Sequence, residues 1–306
     1  MTSSEKKASK AENSDDELLP KPPQTPFFRA TQAERYRRQD AIRKIQDATE
    51  RKLICYISGS AGYIERDDII PLTDLLYQVQ PGVKLDLMLH TLGGDVDAAE
   101  KIAGLLLKTV GSDGELRVIV PHCAKSAGTL ISLAAHSIVM SDTSELGPID
   151  PQLVMATPEG MRLSRPAQSY IDAYEDIIRQ IKGGTESPAL HALIEKFDLV
   201  QLDMCRKALL RSRKFAEKFL REGMFRGQNA NITAIAAKLN SNADWLSHGA
   251  VINADDAQQL DLRIDYRDEN ENEWQAYWRL YLEMRCTLRK DSEKLFESDY
   301  GSLQIG

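Results

Sequence analysis

Two corner sequences decide the fold: Leu85-Asp86-Leu87-Met88-Leu89-His90-Thr91-Leu92-Gly93-Gly94-Asp95 and, one helix and one strand later, Cys123-Ala124-Lys125-Ser126-Ala127-Gly128-Thr129. The first opens as an alternating apolar strand over residues 83–90, turns at Gly93-Gly94 and continues as a helical pattern over residues 96–109. The second follows a strand over residues 116–121 and leads into a small-residue helix over residues 130–135. Strand-to-helix corners leave backbone N–H groups free at the helix start. Gly93 and Gly94 let backbone approach a ligand with no Cβ in the way. Ser126 brings a hydroxyl to the other corner. A hydroxyl facing a pair of N–H donors is the minimum equipment for acyl transfer.

Outward from these corners, the chain alternates strands and helices. A strand at residues 53–58, a glycine-containing loop, a helix at 69–79 and the Pro81-Gly82 turn come before them. After them come a short strand at 137–140 and the stiff segment Ser144-Glu145-Leu146-Gly147-Pro148-Ile149-Asp150-Pro151. A hairpin is expected over 155–163, turning through Pro158-Glu159-Gly160. Helices are expected over 166–181, over 190–225 in two pieces, over 231–239 and over 254–260, with short strands at 250–252 and 262–264. A last amphipathic helix spans 273–296. No internal repeat is visible. Alternation of this kind predicts an α/β fold with a parallel sheet and outer helices, and the glycine corners fall on the sheet's carboxyl edge.

Composition narrows the function. The 306 residues are 42% hydrophobic, enough for a sizeable core, and carry a net charge of −7. That sign argues against a nucleic-acid partner. No apolar run approaches the roughly 18–20 residues of a membrane span, so none is expected. The polar N-terminus shows no secretory h-region. The four cysteines, Cys55, Cys123, Cys205 and Cys286, form no CxxC pair and no zinc-type Cys/His spacing. They read as reduced thiols, which points to a cytoplasmic protein with no metal. Cys123 reads as a small apolar filler. Residues 1–30 are expected to be a disordered polar tail, 31–266 the domain that carries the site, and 267–306 a helical extension. Thr31 and Glu34 have the capping-box spacing for a charged helix over 31–52. The basic residues between Arg206 and Arg221 read as a solvated helix face.

Each constellation also has a plainer reading. Gly93-Gly94 lacks the dinucleotide fingerprint and is not followed by GK[ST], so alone it is a structural turn. Ser126 alone is a helix N-cap. One helix and one strand apart, the two are far more specific than either.

Together with Ser144 to Gln152 and Ser247-His248-Gly249-Ala250-Val251-Ile252, the two corners resemble the serine dehydrogenase proteinase family. This is a branch of the Clp protease and signal peptide peptidase A group. The similarity runs roughly over residues 33–264. It implies a Clp/crotonase-like fold of repeated ββα units with a C-terminal helical arm. It also implies an ATP-independent serine peptidase acting on peptide or protein substrates, without cofactor, as a homo-oligomer. The apolar stripe of the last helix would give that oligomer its surface. On this resemblance Ser126 is the nucleophile, the N–H groups of Gly94 and Ala127 form the oxyanion hole, and Gly93 and Asp95 flank the strand a peptide would pair with.

The base is not supplied by the family pattern. The stretch that carries a lysine in signal peptide peptidase relatives falls near Arg165-Pro166-Ala167-Gln168, which holds none, and Lys182 lies one helix away. Clp subunits use a histidine that falls near Ile149-Asp150 and an aspartate that falls near His248-Gly249. An acid and a histidine thus stand in exchanged order, which triad geometry permits. The expected triad is Ser126, His248 as base and Asp150 as orienting acid. Histidine, as a residue type, titrates near working pH. Lys125 is the rival base; His90 and His122 are expected at the sheet edge or in solvent. Two other readings are a catalytically silent scaffold of the same fold and crotonase-type chemistry on a thioester.

Overall fold

One seven-stranded sheet organises the fold, with five neighbouring strands parallel and two antiparallel strands at one edge. The computed structural model describes residues 25–77, 79–156, 162–184 and 187–306. In chain order the elements are α1 (Pro26–Thr31), α2 (Ala33–Thr49), β1 (Lys52–Ser58), α3 (Ile69–Leu76), β2 (Lys84–His90), α4 (Val96–Val110), β3 (Glu115–Ile119), β4 (Cys123–Ala124), α5 (Ala127–Ser132), β5 (Ser137–Met140), β6 (Glu145–Leu146), β7 (Gln152–Ala156) and β8 (Arg162–Pro166). There follow α6 (Ala167–Lys182), α7 (Pro188–Ile194), α8 (Leu199–Glu222), α9 (Ile232–Leu239), α10 (Asn242–Trp245), α11 (Ala254–Gln259), β9 (Ile264–Tyr266), α12 (Asn272–Thr287), β10 (Lys294–Glu297) and β11 (Ser302–Ile305). The chain divides into two units, Met1–Arg37 and Arg38–Gly306. The second holds the sheet, in the strand order β11-β10-β1-β2-β3-β5-β9, with β10 and β11 the antiparallel edge.

The period-2 alternation of the central strands sorts their side chains to two faces. Leu85, Leu87 and Leu89 of β2, with Leu116 and Val118 of β3, pack under α3, α4, α5, α8 and α9. The other face carries Cys55 and Ile57 of β1, Met88 of β2 and Ile119 of β3. It is covered by Ile42 and Ile45 of α2 and by Trp274, Tyr277, Leu280, Tyr281 and Met284 of α12. Both faces of a parallel sheet must be covered in this way.

Near its amino edge this second face also buries charge. Asp86 of β2 accepts from Arg51 and from both Nε and Nη2 of Arg117, and Arg117 reaches Tyr277 of α12 and Asp265 of β9. The carboxylate is 1% exposed.

The alternating α/β reading is correct, and so are the helices at β2–α4, α6, α7–α8 and α9. The β7–β8 hairpin forms, and its expected turn at residues 158–160 lies outside the described residues. Four expectations are corrected. The last helix stops at Thr287, and residues 294–297 form β10, paired antiparallel with β1. Two apolar residues, Leu295 and Phe296, between Lys294 and Glu297 fit either period, and the free edge of β1 decides it. The apolar stripe of α12 faces the chain's own sheet, so it no longer argues for a second copy. Thr31 does not cap the long helix. It closes α1, which begins at Pro26 beneath a Thr25 side chain that accepts from Phe28 N–H. The strand expected at 250–252 is a single bridge at Ile252, and the next strand starts at Ile264. The expected tail falls largely on residues 1–24, which lie outside the described residues.

Candidate active site

At the carboxyl edge a transverse row of paired backbone ties four segments together. Thr91 bridges Ala124, Ala124 pairs with Leu146 in the β4–β6 ladder, and Leu146 bridges Ile252. Thr91 N–H donates to Cys123 O, and Lys125 N–H to Thr91 O. This row carries each candidate residue on a short lead: Gly93 and Gly94 beyond Thr91, Ser126 beyond Ala124, Asp150 beyond Leu146 and His248 before Ile252. The two corners therefore converge. A Cβ on Gly93 would stand 2.9 Å from Ser126 Cβ and 3.5 Å from Ala127 N.

Ser126 sits at φ 51° and ψ −111°, on the lip of α5. Helix N-caps ordinarily have extended backbone and a side chain that accepts from the helix. Ser126 has neither: its φ is positive and its hydroxyl makes no capping bond. Backbone of this kind in a residue with a Cβ costs on the order of 1–3 kcal/mol. It throws the side chain off the helix axis, as a nucleophile-bearing turn requires. The hydroxyl is half-buried and makes no hydrogen bond among the described residues.

Gly94 is held by Ile64. Ile64 N–H donates to Gly93 O, and Asp95 N–H donates to Ile64 O. Backbone groups alternate sides along an extended segment, so the N–H and C=O of Gly94 face away from Ile64. Neither Gly94 N–H nor Ala127 N–H has an acceptor among the described residues. Gly94 lies at φ 150°, and a Cβ there would meet Ile64 N and O at 2.4 Å. Gly94→Ala should therefore lower the unfolding midpoint by about 1–3 kcal/mol in stability. Gly104→Ala, in mid-α4 with open space around it, should raise stability by roughly 0.5–1 kcal/mol. Equal midpoints for the two variants would contradict this contact. Gly93 and Asp95 are less free than their sequence position promises. The Gly93 carbonyl is taken by Ile64, and the Asp95 carboxylate caps α4 by accepting from Asp97 N–H and Ala98 N–H.

The acid and the histidine meet. His248 Nδ1 lies 2.8 Å from Asp150 Oδ1, and Gln152 Nε2 donates to the other carboxylate oxygen at 3.0 Å. A carboxylate only accepts, so Nδ1 carries the hydrogen and Nε2 is left as the acceptor. Asp150 is 1% exposed, while the His248 side chain is 29% exposed.

Lys125 takes another part. Its ammonium donates to Leu146 O, Ala250 O and the Glu145 carboxylate, at 3.1, 3.0 and 3.0 Å. All three of its hydrogens are used, so it is a clamp between the Ser126 corner and the loop that carries His248. Lys182 ends α6, sixteen residues long, and the helix rise of about 22 Å separates it from Ala167. His90 is buried on the α12 side of the sheet. Desolvation, with Arg285 nearby, lowers its pKa to about 3, which makes it a poor base. Burial, with Glu145 nearby, raises the Cys123 thiol to about 12, which makes it a poor nucleophile.

Sequence reasoning missed Ile64, the clamp role of Lys125, and the meeting of His90 with His122 and Cys123, whose ligand atoms lie within 4.8 Å of one another. Zinc-type spacing could not reveal that cluster, because His90 is one helix and one strand away from the other two.

Comparison with known proteins gives the chain a family. A family model described as ClpP-like SDH-type serine proteinase matches residues 76–273. Two uncharacterized proteins of Methanocaldococcus jannaschii, MJ0137 and MJ1495, are 32% and 29% identical over 181 residues, 59% of this chain and 53% and 52% of theirs. The chain thus spans about half the length of these curated relatives. Among solved structures, a mutant of the 1510-N membrane-bound stomatin-specific protease aligns with a TM-score of 0.35 and 14% identity, covering 71% of this chain and 98% of that one. A second mutant, in complex with a substrate peptide, aligns with a TM-score of 0.34 and 15% identity, covering 76% and 98%. No helix among the described residues is long and apolar enough to cross a membrane.

Proposed function

Because the chain belongs to the ClpP-like SDH-type serine proteinases, we propose that it hydrolyses peptide bonds through an acyl-enzyme on Ser126. His248 Nε2 takes the hydroxyl proton as Ser126 Oγ attacks the scissile carbonyl carbon. Asp150 holds the imidazole in the tautomer that can do so and offsets its positive charge. The N–H groups of Gly94 and Ala127 receive the developing oxyanion. His248 returns the proton to the leaving amine, and water then cleaves the ester by the same route. The substrate strand runs along residues 93–95 and pairs with the outward C=O of Gly94, whose N–H is kept for the oxyanion. No cofactor enters any step, and no energy source is drawn on. Homo-oligomerisation and a cytoplasmic location belong to the same proposal, and light scattering tests the first.

The observation that carries this reading is the convergence of the Ser126 and Gly93-Gly94 corners, with an Asp150–His248 pair on the adjoining segments. The silent-scaffold reading has one observation of its own: no hydrogen bond joins Ser126 Oγ to His248 among the described residues. A fluorophosphonate probe separates the two. The peptidase reading expects stoichiometric labelling of the parent protein and none of Ser126→Ala. An unlabelled parent protein favours the scaffold.

A further inference from the structure

We propose that His90, His122 and Cys123 form a binding site for one zinc ion on the α12 side of the sheet, behind the two corners. The three residues offer two imidazole nitrogens and a sulfur, all within 4.8 Å of one another. Cys123 Sγ and His90 Nδ1 stand 3.4 Å apart. Tetrahedral zinc, about 2.3 Å from sulfur and about 2.05 Å from nitrogen, needs roughly 3.5 Å between those two atoms. That pair is therefore already set at the ligating distance. The donor set is soft, which suits zinc and excludes magnesium and calcium.

Two of the three ligands are buried. His90 is 4% exposed and Cys123 1%. The Cys123 N–H and sulfur both lie 3.4 Å from His90 Nδ1, long for the N–H donor and ordinary for a thiol. The thiol lies 3.8 Å from Thr91 O. A bound ion would take the place of the thiol hydrogen between Cys123 Sγ and His90 Nδ1.

His122 supplies the adjustable part. It is exposed and stacks on His90 at 12° with ring centres 5.2 Å apart, while its Nδ1 lies 3.2 Å from Tyr281 OH. Parallel rings cannot both point an edge at one ion, so His122 turns about its Cα–Cβ bond on binding and releases Tyr281. Water from the exposed side fills the fourth position. Charge is mixed around the cluster: Glu145 acts on Cys123, and Arg285 on His90 and Cys123. Binding forms the sulfur–zinc bond and sends the thiol proton to solvent, with no change of oxidation state. The ion would join the end of β2 to β4, three residues ahead of both Gly93 and Ser126.

Cobalt(II) titration of the full chain tests the site. The expected result is one equivalent bound, with a thiolate-to-cobalt charge-transfer band and tetrahedral ligand-field bands that zinc bleaches on displacement. Cys123→Ser should abolish the charge-transfer band, and Cys286→Ser should leave it intact. His122→Gln, at an exposed side chain, should weaken cobalt binding about tenfold or more while the unfolding midpoint reports whether the fold is kept. The proposal is overturned by the lack of a charge-transfer band in the parent protein, by its survival in Cys123→Ser, or by unchanged affinity in His122→Gln.

Discussion

His248→Ala is expected to lower kcat/KM for peptide hydrolysis by about 10⁴-fold or more, and Asp150→Asn to come close to it. Alanine removes the imidazole that the proposed mechanism gives the Ser126 hydroxyl as its proton acceptor. Asparagine keeps the shape of Asp150 but no longer dictates which nitrogen of His248 holds the hydrogen. The paired prediction is stronger than either half. If Nδ1 and Asp150 act together, the double variant is scarcely worse than His248→Ala, because residues working as a unit do not add. Fluorophosphonate labelling rates, which need no substrate, should fall in the same order. Parent-like labelling of His248→Ala would remove histidine from the scheme and leave the Ser126 hydroxyl without a base. Lys125→Met should also slow labelling, but through the loops that its ammonium ties together, and a lower unfolding midpoint will accompany it.

Asp86→Ala is the variant with the largest expected effect on stability, about 3–5 kcal/mol, read as a shift in the denaturant midpoint. Asp86 stands between Arg51 and Arg117, whose side chains are 6% and 11% exposed. Its removal leaves two guanidinium groups in the interior with too few acceptors, and the interior penalises an uncompensated charge far more than a missing contact. The network runs from the start of β1 through β2 and β3 to Tyr277 on α12 and Asp265 on β9, so the variant should loosen α12 from the sheet. Replacing the three together by Leu and Met of similar volume should recover most of the loss. A midpoint unchanged in Asp86→Ala would mean that water reaches the two arginines.

Much of this molecule is written in short-range pattern. The alternation in Leu85-Asp86-Leu87-Met88-Leu89, the helical spacing after Asp95 and the pair Gly93-Gly94 act over a few residues, and a few residues suffice to read them. So did the serine between small neighbours, although its positive φ marks it as more than a cap. The C-terminal strands escape such a reading, because Lys294–Glu297 is too short to show a period. What makes it a strand is the unpaired edge of β1, more than 200 residues earlier in the chain.

The candidate site divides along the same line. Residue types and corners are local properties: a backbone free of Cβ at Gly94, a hydroxyl at Ser126, an acid at Asp150 and an imidazole at His248 all stand in the sequence. Their meeting is not local. Asp150 and His248 are 98 positions apart, and the row from Thr91 through Ala124 and Leu146 to Ile252 uses pairings of one or two residues, which carry no periodic signal. Such short pairings hold only because the packed sheet beneath removes the competing water and sets each segment beside the next. Chemistry is therefore assigned residue by residue along the chain, and proximity by the buried core.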